Sequence, residues 1–235
     1  MKKCLKSSVR IGLIADTHGS AGLLRDAADM LLSKGADILV HLGDFCDSGN
    51  PGQMAEVFEL LEQYGIYAVK GNNDYQVEKK LQNEELPQYA DKRDRWLRFF
   101  QNTPLVRRFA GVCCCHSLPY ESVRAIYDPV DTGGIDRATE VFNNASDHVI
   151  FCGHSHNSVV FRCRNGHVTR TAMPESGSTL LYYDQRYIVI VGAAENSECG
   201  IFDVNRLIYE RISISGPNFM EPADERARIR YTIRK

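Results

Sequence analysis

Apolar runs alternate with helical patterns over the first 74 residues of the chain. Three apolar runs end abruptly in polar residues: residues 9–15 lead into DTHG, residues 38–42 into GDFCD, and residues 66–69 into KGNND. Between these runs, apolar side chains recur with the period of a helix over residues 23–32 and again over residues 54–61. This order of elements, β-α-β-α-β, predicts a parallel sheet.

The middle of the chain continues with helices and strands in alternation. A helical pattern is interrupted near Pro87 and resumes at Asp94. Strand-like runs follow at residues 105–109 and 112–115, and the second of them ends in His116. A helix predicted near residues 135–143 precedes the apolar run 149–152, which ends in GHSH.

Short strands and tight turns replace this alternation after residue 159. The stretch VVFRCR-NG-HVTRT predicts a hairpin, because Asn165-Gly166 suits a type I′ turn. Further strand-like runs predict a meander in a second sheet packed on the first, and they lie at residues 179–183, 187–191, 200–204 and 207–214. Since no linker rich in Pro, Gly or Ser intervenes, we expect a single domain over residues 1–215, followed by a solvated tail over residues 216–235.

The bulk composition favours a globular protein and gives no sign of a charged partner. The 235 residues are 43% hydrophobic, and 28 basic against 30 acidic side chains leave a net charge of −2. This balance counts against a nucleic-acid or anionic-membrane surface. No apolar run approaches the roughly 18 residues of a membrane span. The apolar part of the N terminus stops at Asp16 without a cleavage site, so we interpret the protein as soluble and cytoplasmic.

Eight cysteines raise the alternatives of a disulfide scaffold or a zinc ribbon. No CxxC spacing occurs, and the density is low for a disulfide-stapled mini-protein. Several of the cysteines lie inside apolar runs, where a free thiol behaves as a small hydrophobic side chain. We therefore predict reduced thiols in the core.

Polar side chains with metal-binding chemistry follow five of the predicted strands. They are Asp16, His18, Asp44, Asn72, Asn73, Asp74, His116, His154 and His156. The carboxyl ends of parallel strands gather at one rim of a sheet, so these side chains are expected to meet there. In extended backbone, residues two apart point the same way, so D-T-H and H-S-H would each present two ligands at that rim. The mixture of oxygen and imidazole ligands suits Mn, Fe, Co or Zn better than Ca or Mg.

Each fragment alone is typical of a turn or a cap, but the ordered series resembles the calcineurin-like metallophosphoesterase superfamily. The matching motifs are D-x-H (Asp16, His18), G-D-x-x-D (Gly43, Asp44, Asp47), G-N-x-D (Gly71, Asn72, Asp74), the strand-end His116, and G-H-x-H (Gly153, His154, His156). The resemblance implies a four-layer αββα sandwich, in which two mixed β-sheets are flanked by helices. It also suggests a small phosphodiesterase-like member.

The same resemblance implies a dinuclear metal site and assigns its ligands. One divalent ion would take Asp16, His18, Asp44 and His156; the second would take Asn72, His116, His154 and the shared Asp44. Manganese is the expected metal, with Fe, Zn, Ni and Co as alternatives. Two divalent cations against two carboxylates leave a charge of about +2, or +1 with a bridging hydroxide, which attracts a phosphate ester. The implied reaction is hydrolysis of a phosphomonoester or phosphodiester by attack of that hydroxide.

Two departures from the family pattern narrow this interpretation. Many members carry a histidine between the Asn and the acid of the third motif, where it helps to bind phosphate and to protonate the leaving group. Asn73 stands there instead, and Asp74, which would orient that histidine, has lost its partner. In the protein-phosphatase branch an Arg follows G-D-x-x-D, whereas here Ser48 follows Asp47. We therefore predict a preference for good leaving groups, with Asn73 and Asp74 as candidate catalytic residues.

Three neighbouring features have weaker functional interpretations. Asp47 either orients a ligand or caps its loop, and we favour the cap. His41 lies inside an apolar strand and is interpreted as a core histidine. Residues 117–121, SLPYE, either line a substrate pocket or form a plain connection. No substrate-binding residue is assigned.

Two further functional classes stay open beside the hydrolase of a small phosphoester. A protein-binding scaffold could use the same fold, although a scaffold need not keep seven ligand-competent residues. A nuclease is the other alternative, and the composition counts modestly against it without excluding it. The sequence leaves the substrate, the choice between monoester and diester, the native metal and the oligomeric state undetermined.

Overall fold

The computed structural model describes residues 9–109, 111–174 and 177–215. The predicted tail at residues 216–235 lies outside the described residues. The helices are α1 (Ala21–Ser33), α2 (Met54–Gln63), α3 (Asn72–Gln82), α4 (Arg93–Asn102) and α5 (Gly134–Asn144). The strands are β1 (Arg10–Ile14), β2 (Ile38–His41), β3 (Tyr67–Ala68), β4 (Val106–Phe109), β5 (Val112–Cys115), β6 (Val149–Cys152), β7 (Ser158–Arg164), β8 (His167–Ala172), β9 (Gly177–Leu180), β10 (Arg186–Val191), β11 (Glu198–Asp203) and β12 (Ile208–Ser213).

The strands form two mixed sheets of six, which pack face to face. The first sheet has the order β3-β2-β1-β11-β12-β9, and the second has the order β4-β5-β6-β10-β7-β8. The β1-β2-β3 part is parallel, as the alternating sequence pattern predicts, and β5, β6 and β10 are parallel in the second sheet. With helices on the outer faces, the architecture confirms the predicted αββα sandwich.

The strands of the C-terminal part divide between the sheets, and the predicted meander is wrong in this respect. The hairpin of β7 and β8 forms around Asn165 and Gly166 as expected. However, β10 inserts between β6 and β7 in the second sheet, whereas β11, β12 and β9 complete the first. Alternation within a strand shows which side chains are buried but not which neighbour the strand pairs with, so the sequence could not decide this partition.

Three hydrophobic layers hold the sandwich together. Between the sheets, Leu13 and Val40 of the first sheet pack with Phe151 and Val189 of the second. A second layer lies between the first sheet and helices α1 to α4, and a third lies between α5 and the second sheet. Fully buried side chains on both faces of β1, β2 and β6 explain why these strands are continuous apolar runs in the sequence.

The cysteines and the search for membrane spans complete the description. The seven cysteines of the described ranges are free thiols, and six of them are buried, which agrees with the prediction of core thiols. Among the helices in those ranges, none is long and apolar enough to cross a membrane.

Candidate metal centre

Both sheets contribute polar side chains to one site at the carboxyl ends of their parallel strands. Asp16 and His18 follow β1, Asp44 follows β2, and Asn72 begins α3 directly after β3. From the second sheet, His116 follows β5, and His154 and His156 follow β6. The structure thus brings together all seven residues that the sequence predicts as ligands.

Asp16, His18 and His156 form the first of two converging groups. One ligand atom from each lies within 4.8 Å of the others. His18 Nε2 is 3.1 Å from His156 Nε2, and the latter nitrogen is 3.6 Å from Asp16 Oδ1. Asp16 is fully buried, whereas both histidines are half-buried. The group therefore opens toward solvent on its histidine side.

Asp44, His116 and His154 form the second group, again within 4.8 Å of one another. His154 Nδ1 is 2.9 Å from His116 Nε2, and Asn72 Oδ1 lies 3.0 Å from that same His116 nitrogen. Asn72 therefore adds a neutral oxygen to the second group.

The Asp44 carboxylate lies between the two groups. Its Oδ1 is 3.5 Å from His116 Nε2 of the second group, and its Oδ2 is 4.0 Å from His18 Nδ1 of the first. Burial would raise the pKa of Asp44, but His116, His18 and two hydrogen bonds from Asn73 outweigh burial and lower it. The shared carboxylate is thus kept in its anionic form.

The backbone of the site is left-handed at five of the seven residues. Positive φ angles occur at Asp16 (55°), His18 (43°), Asp44 (57°), His154 (70°) and His156 (60°). Non-glycine residues seldom adopt this conformation, and it costs of order 1–3 kcal/mol each. The prediction that D-T-H and H-S-H are extended is therefore wrong. Asp16 and His18 still point to one group, but His154 and His156 point to different groups.

Backbone carbonyl groups orient two of the histidines. His116 Nδ1 lies 2.9 Å from the carbonyl oxygen of Leu42, and His154 Nε2 lies 3.3 Å from that of Tyr127. In each case the nitrogen facing the carbonyl is the donor, so the other ring nitrogen presents its lone pair to the group. This arrangement is typical of metal-binding histidines, whose second nitrogen usually donates to a nearby acceptor.

Asn73 and Ser48, the two positions that depart from the family pattern, are hydrogen-bonded to each other. The backbone nitrogen of Asn73 and its Nδ2 donate to the two oxygens of Asp44, at 2.8 and 2.6 Å. Its Oδ1 accepts from the Ser48 hydroxyl at 2.6 Å. Asn73 and Ser48 therefore form a neutral, hydrogen-bonded pair that holds the shared carboxylate.

Asp74 binds the backbone of two loops. Its fully buried carboxylate accepts hydrogen bonds from the backbone nitrogens of Asp44 (2.7 Å), Gly71 (2.8 Å) and Cys46 (2.9 Å). Asp74 also caps α3, which begins at Asn72. The structure thus gives Asp74 a loop-fixing position beside Asp44.

The residues present fit divalent metal ions. Oδ1 of the fully buried Asp16 has no hydrogen-bond partner, although it lies 3.6 Å from His156 Nε2. Burial, and then the charge of Asp44, raise the pKa of Asp16. Burial, and then His18, lower the pKa of His156 to about 3, so this ring is neutral as a metal ligand must be. A buried carboxylate without a compensating charge is costly, and a cation would supply that charge.

Three other predicted features lie near the site. Asp47 Oδ1 accepts from the backbone nitrogen of Gly49 at 2.7 Å, which confirms the loop cap. His41 is fully buried, and its Nε2 lies 3.1 Å from Thr17 Oγ1, in agreement with a core histidine. The segment SLPYE begins with three buried residues, as a packed connection would.

Glu195 is the residue that sequence reasoning missed. It lies in a short 3-10 turn, Ala194–Asn196, between β10 and β11. Its Oε2 is 3.9 Å from His156 Nδ1 and 4.0 Å from His18 Nε2. The sequence gives little signal for it, since Gly192, Ala193 and Ala194 separate the apolar run of β10 from Glu195.

The chain is similar to several known proteins. Residues 9–191 match the family model for calcineurin-like phosphoesterases. A metallophosphoesterase from Sphaerobacter thermophilus has a similar structure, with a TM-score of 0.65 and 18% identity over 88% of this chain and 89% of that one. A putative diadenosine tetraphosphatase is similar with a TM-score of 0.54 and 15% identity, over 90% and 96% of the two chains. Among curated proteins, none matches this sequence.

Proposed function

Because the chain belongs to the calcineurin-like phosphoesterase family, we propose that it is a dinuclear metal-dependent hydrolase of phosphomonoesters or phosphodiesters. The observation that carries this proposal is the pair of converging ligand groups with the Asp44 carboxylate between them. A scaffold of the same fold would not need that arrangement.

Each group would hold one divalent cation. Asp16, His18 and His156 would hold the first, and the second group with Asn72 would hold the other. Asp44 would be shared. Two such cations supply a water of lowered pKa as the nucleophile and neutralise the charge that develops on phosphoryl oxygens. We propose Mn²⁺ as the metal, because the mixture of carboxylate, amide and imidazole ligands suits a borderline ion, and we propose that the enzyme acts in the cytoplasm.

The chain's own residues position this chemistry. Asn73 holds both oxygens of Asp44, and Asp74 fixes the backbone of the loop that carries Asp44. Both side chains therefore act through Asp44. Since an amide has no titrating proton, Asn73 cannot protonate a departing alkoxide as a histidine would.

This limitation points to substrates with good leaving groups. Hydrolysis breaks the bond between phosphorus and the leaving oxygen, and that oxygen must depart as an anion or take a proton from solvent. Aryl esters and phosphoanhydrides need no such proton, because they release a phenolate or a phosphate. We infer that aryl phosphodiesters and nucleotide phosphoanhydrides are preferred to alkyl esters, and the absence of a phosphate-gripping Arg after Asp47, where Ser48 stands, also fits a singly charged diester.

A substrate panel with defined metals tests the proposal. Metal-stripped protein is assayed with Mn²⁺, Zn²⁺, Ni²⁺ or Mg²⁺ on p-nitrophenyl phosphate, bis-p-nitrophenyl phosphate, an alkyl phosphodiester, cyclic nucleotides and a dinucleoside tetraphosphate. We expect Mn²⁺-dependent hydrolysis that is fastest for the activated diester. Single-stranded and double-stranded DNA in the same panel test the nuclease alternative.

The variant Asp44→Asn distinguishes an enzyme from a non-catalytic scaffold. The neutral amide removes the shared negative charge with little change in shape, so we expect loss of both metal binding and hydrolysis in a folded protein. Asp47→Asn, which changes a carboxylate that caps its own loop, is the matched control and should keep activity. A wild-type protein that folds, binds no stoichiometric metal and hydrolyses nothing would instead be a scaffold.

A further inference from the structure

The turn between β10 and β11 is tied to the first ligand group on two sides. The backbone nitrogen of Ala194 donates to the carbonyl oxygen of Ala15 at 2.8 Å, next to Asp16. Asn196 Nδ2 donates to the carbonyl oxygen of His156 at 3.2 Å. Glu195 lies between these two tethers, so its backbone position relative to the group is fixed.

The Glu195 carboxylate faces the outer nitrogen of a candidate ligand. His156 Nε2 points into the group, toward His18 Nε2 and Asp16 Oδ1. His156 Nδ1 lies on the opposite side of the ring, 3.9 Å from Glu195 Oε2. Glu195 is 37% exposed, which leaves room for the side chain to approach the ring.

His116 and His154 show the role of an acceptor that faces the outer nitrogen of a ligand histidine. His116 and His154 each donate one nitrogen to a carbonyl oxygen and present the other to their group. Facing His156 Nδ1 at 3.9 Å is a full carboxylate, which as a hydrogen-bond acceptor raises the basicity of the ring more than a neutral carbonyl does. Glu195 also brings a third carboxylate to the site, so its charge stabilises a cation held there.

We propose that Glu195 is a positioning residue of the metal centre: from its place 3.9 Å from His156 Nδ1, its side chain moves in to accept a hydrogen bond from that N–H, and it strengthens cation binding at the Asp16, His18 and His156 group. The proposal rests on the metal-binding part of the proposed function but not on hydrolysis. The two ligand groups then differ: a carboxylate faces the outer nitrogen of His156 in the first group, whereas backbone carbonyls face those of His116 and His154 in the second.

Metal affinity in the absence of substrate tests this role. Co²⁺ and Mn²⁺ are titrated into metal-stripped protein by calorimetry, and Co²⁺ absorption reports the coordination of each site. The background variant His154→Ala removes a ligand of the second group, so that binding at the first group is read alone. In this background we expect Glu195→Gln to weaken cation binding by roughly 10–100-fold and to change the Co²⁺ spectrum. Glu195→Ala should weaken it at least as much.

Glu59→Gln on the exposed face of α2 is the matched control, since it removes the same charge away from the site. It should leave affinity and spectrum unchanged. Unchanged Co²⁺ affinity in Glu195→Gln would overturn the proposal. A loss of binding free energy equal to the loss of unfolding free energy of the metal-free protein would also overturn it. A protein that binds both cations but hydrolyses no phosphoester would refute the proposed function and leave the Glu195 measurement valid.

Discussion

Replacing Gly71 by alanine should disable the metal centre by moving Asp44. Gly71 has a φ of −92°, which alanine adopts without strain, so the substitution tests space alone. A Cβ at this position would lie 2.9 Å from Asp44 Cγ, and closer still to Asp44 Oδ1 and its backbone nitrogen. Ordinary contact begins near 3.4 Å. The two loops must therefore separate by at least about 0.5 Å, which exceeds the ~0.2 Å tolerance of metal-ligand distances.

The same separation breaks one of two hydrogen bonds to a shared acceptor, the Asp74 carboxylate. Asp74 Oδ2 accepts from the backbone nitrogens of both Asp44 and Gly71, and it cannot keep both bonds when the loops part. Overpacking of this kind costs about 1–3 kcal/mol, or roughly 2–12 °C in Tm for a chain of this size. We expect a larger effect on metal binding than on folding.

Calorimetric titration of Mn²⁺ and thermal unfolding of the metal-free protein measure the two effects. Gly52→Ala is the control, because Gly52 is exposed and its nearest atom would be Asn50 Oδ1, at the end of a flexible side chain. It should change stability by less than about 0.5 kcal/mol. If Gly71→Ala bound Mn²⁺ as tightly as the wild type, the reasoning from close approach would be refuted.

Three further outcomes are expected. Asn73→His restores a titrating group, so the ratio of alkyl to aryl phosphodiester turnover should rise by about 10-fold or more; an unchanged ratio would show that position 73 does not set leaving-group preference. Chelation of the metal should lower Tm and Mn²⁺ should restore it, since a ligand at 100 times its Kd stabilises by about 2.7 kcal/mol, and Asp44→Asn should abolish the shift. Burial lowers the pKa of His41 to about 3 from 6.5, so the unfolded chain takes up this proton first and stability is lost as pH falls below about 6.5. In urea unfolding of metal-free protein, His41→Gln should remove about 2 kcal/mol of the stability difference between pH 7 and pH 5, and an identical pH dependence in both proteins would contradict this assignment.

The sequence places the candidate ligands at one rim because they follow strands that are buried on both faces. Such strands are continuous apolar runs, so their carboxyl ends are visible as sharp changes to polar residues. That is why the sequence alone predicts Asp16, Asp44 and His116 at one rim. The parallel order of the first three strands then followed from the helical patterns between them.

Other features depend on tertiary contacts that the sequence does not encode locally. The left-handed backbone at His154 and His156 sends neighbouring ligands to different groups, whereas an extended chain would have sent them to one. The link between Asn73 and Ser48 joins the first turn of α3 to a loop 25 residues earlier. Glu195 was missed for the same reason, because its place beside His156 depends on β10 pairing with β6 rather than with its neighbours in sequence.

The origin of the ligands has a mechanical consequence for the whole sandwich. Each group combines side chains from both sheets: Asp16 and His18 meet His156, and Asp44 meets His116 and His154. Cations held by these groups would cross-link one sheet to the other. The bound metals would therefore resist sliding between the sheets. Metal binding would then depend on the alignment of the two sheets. Amide hydrogen exchange in β1 and β6 should slow together when both ions are present.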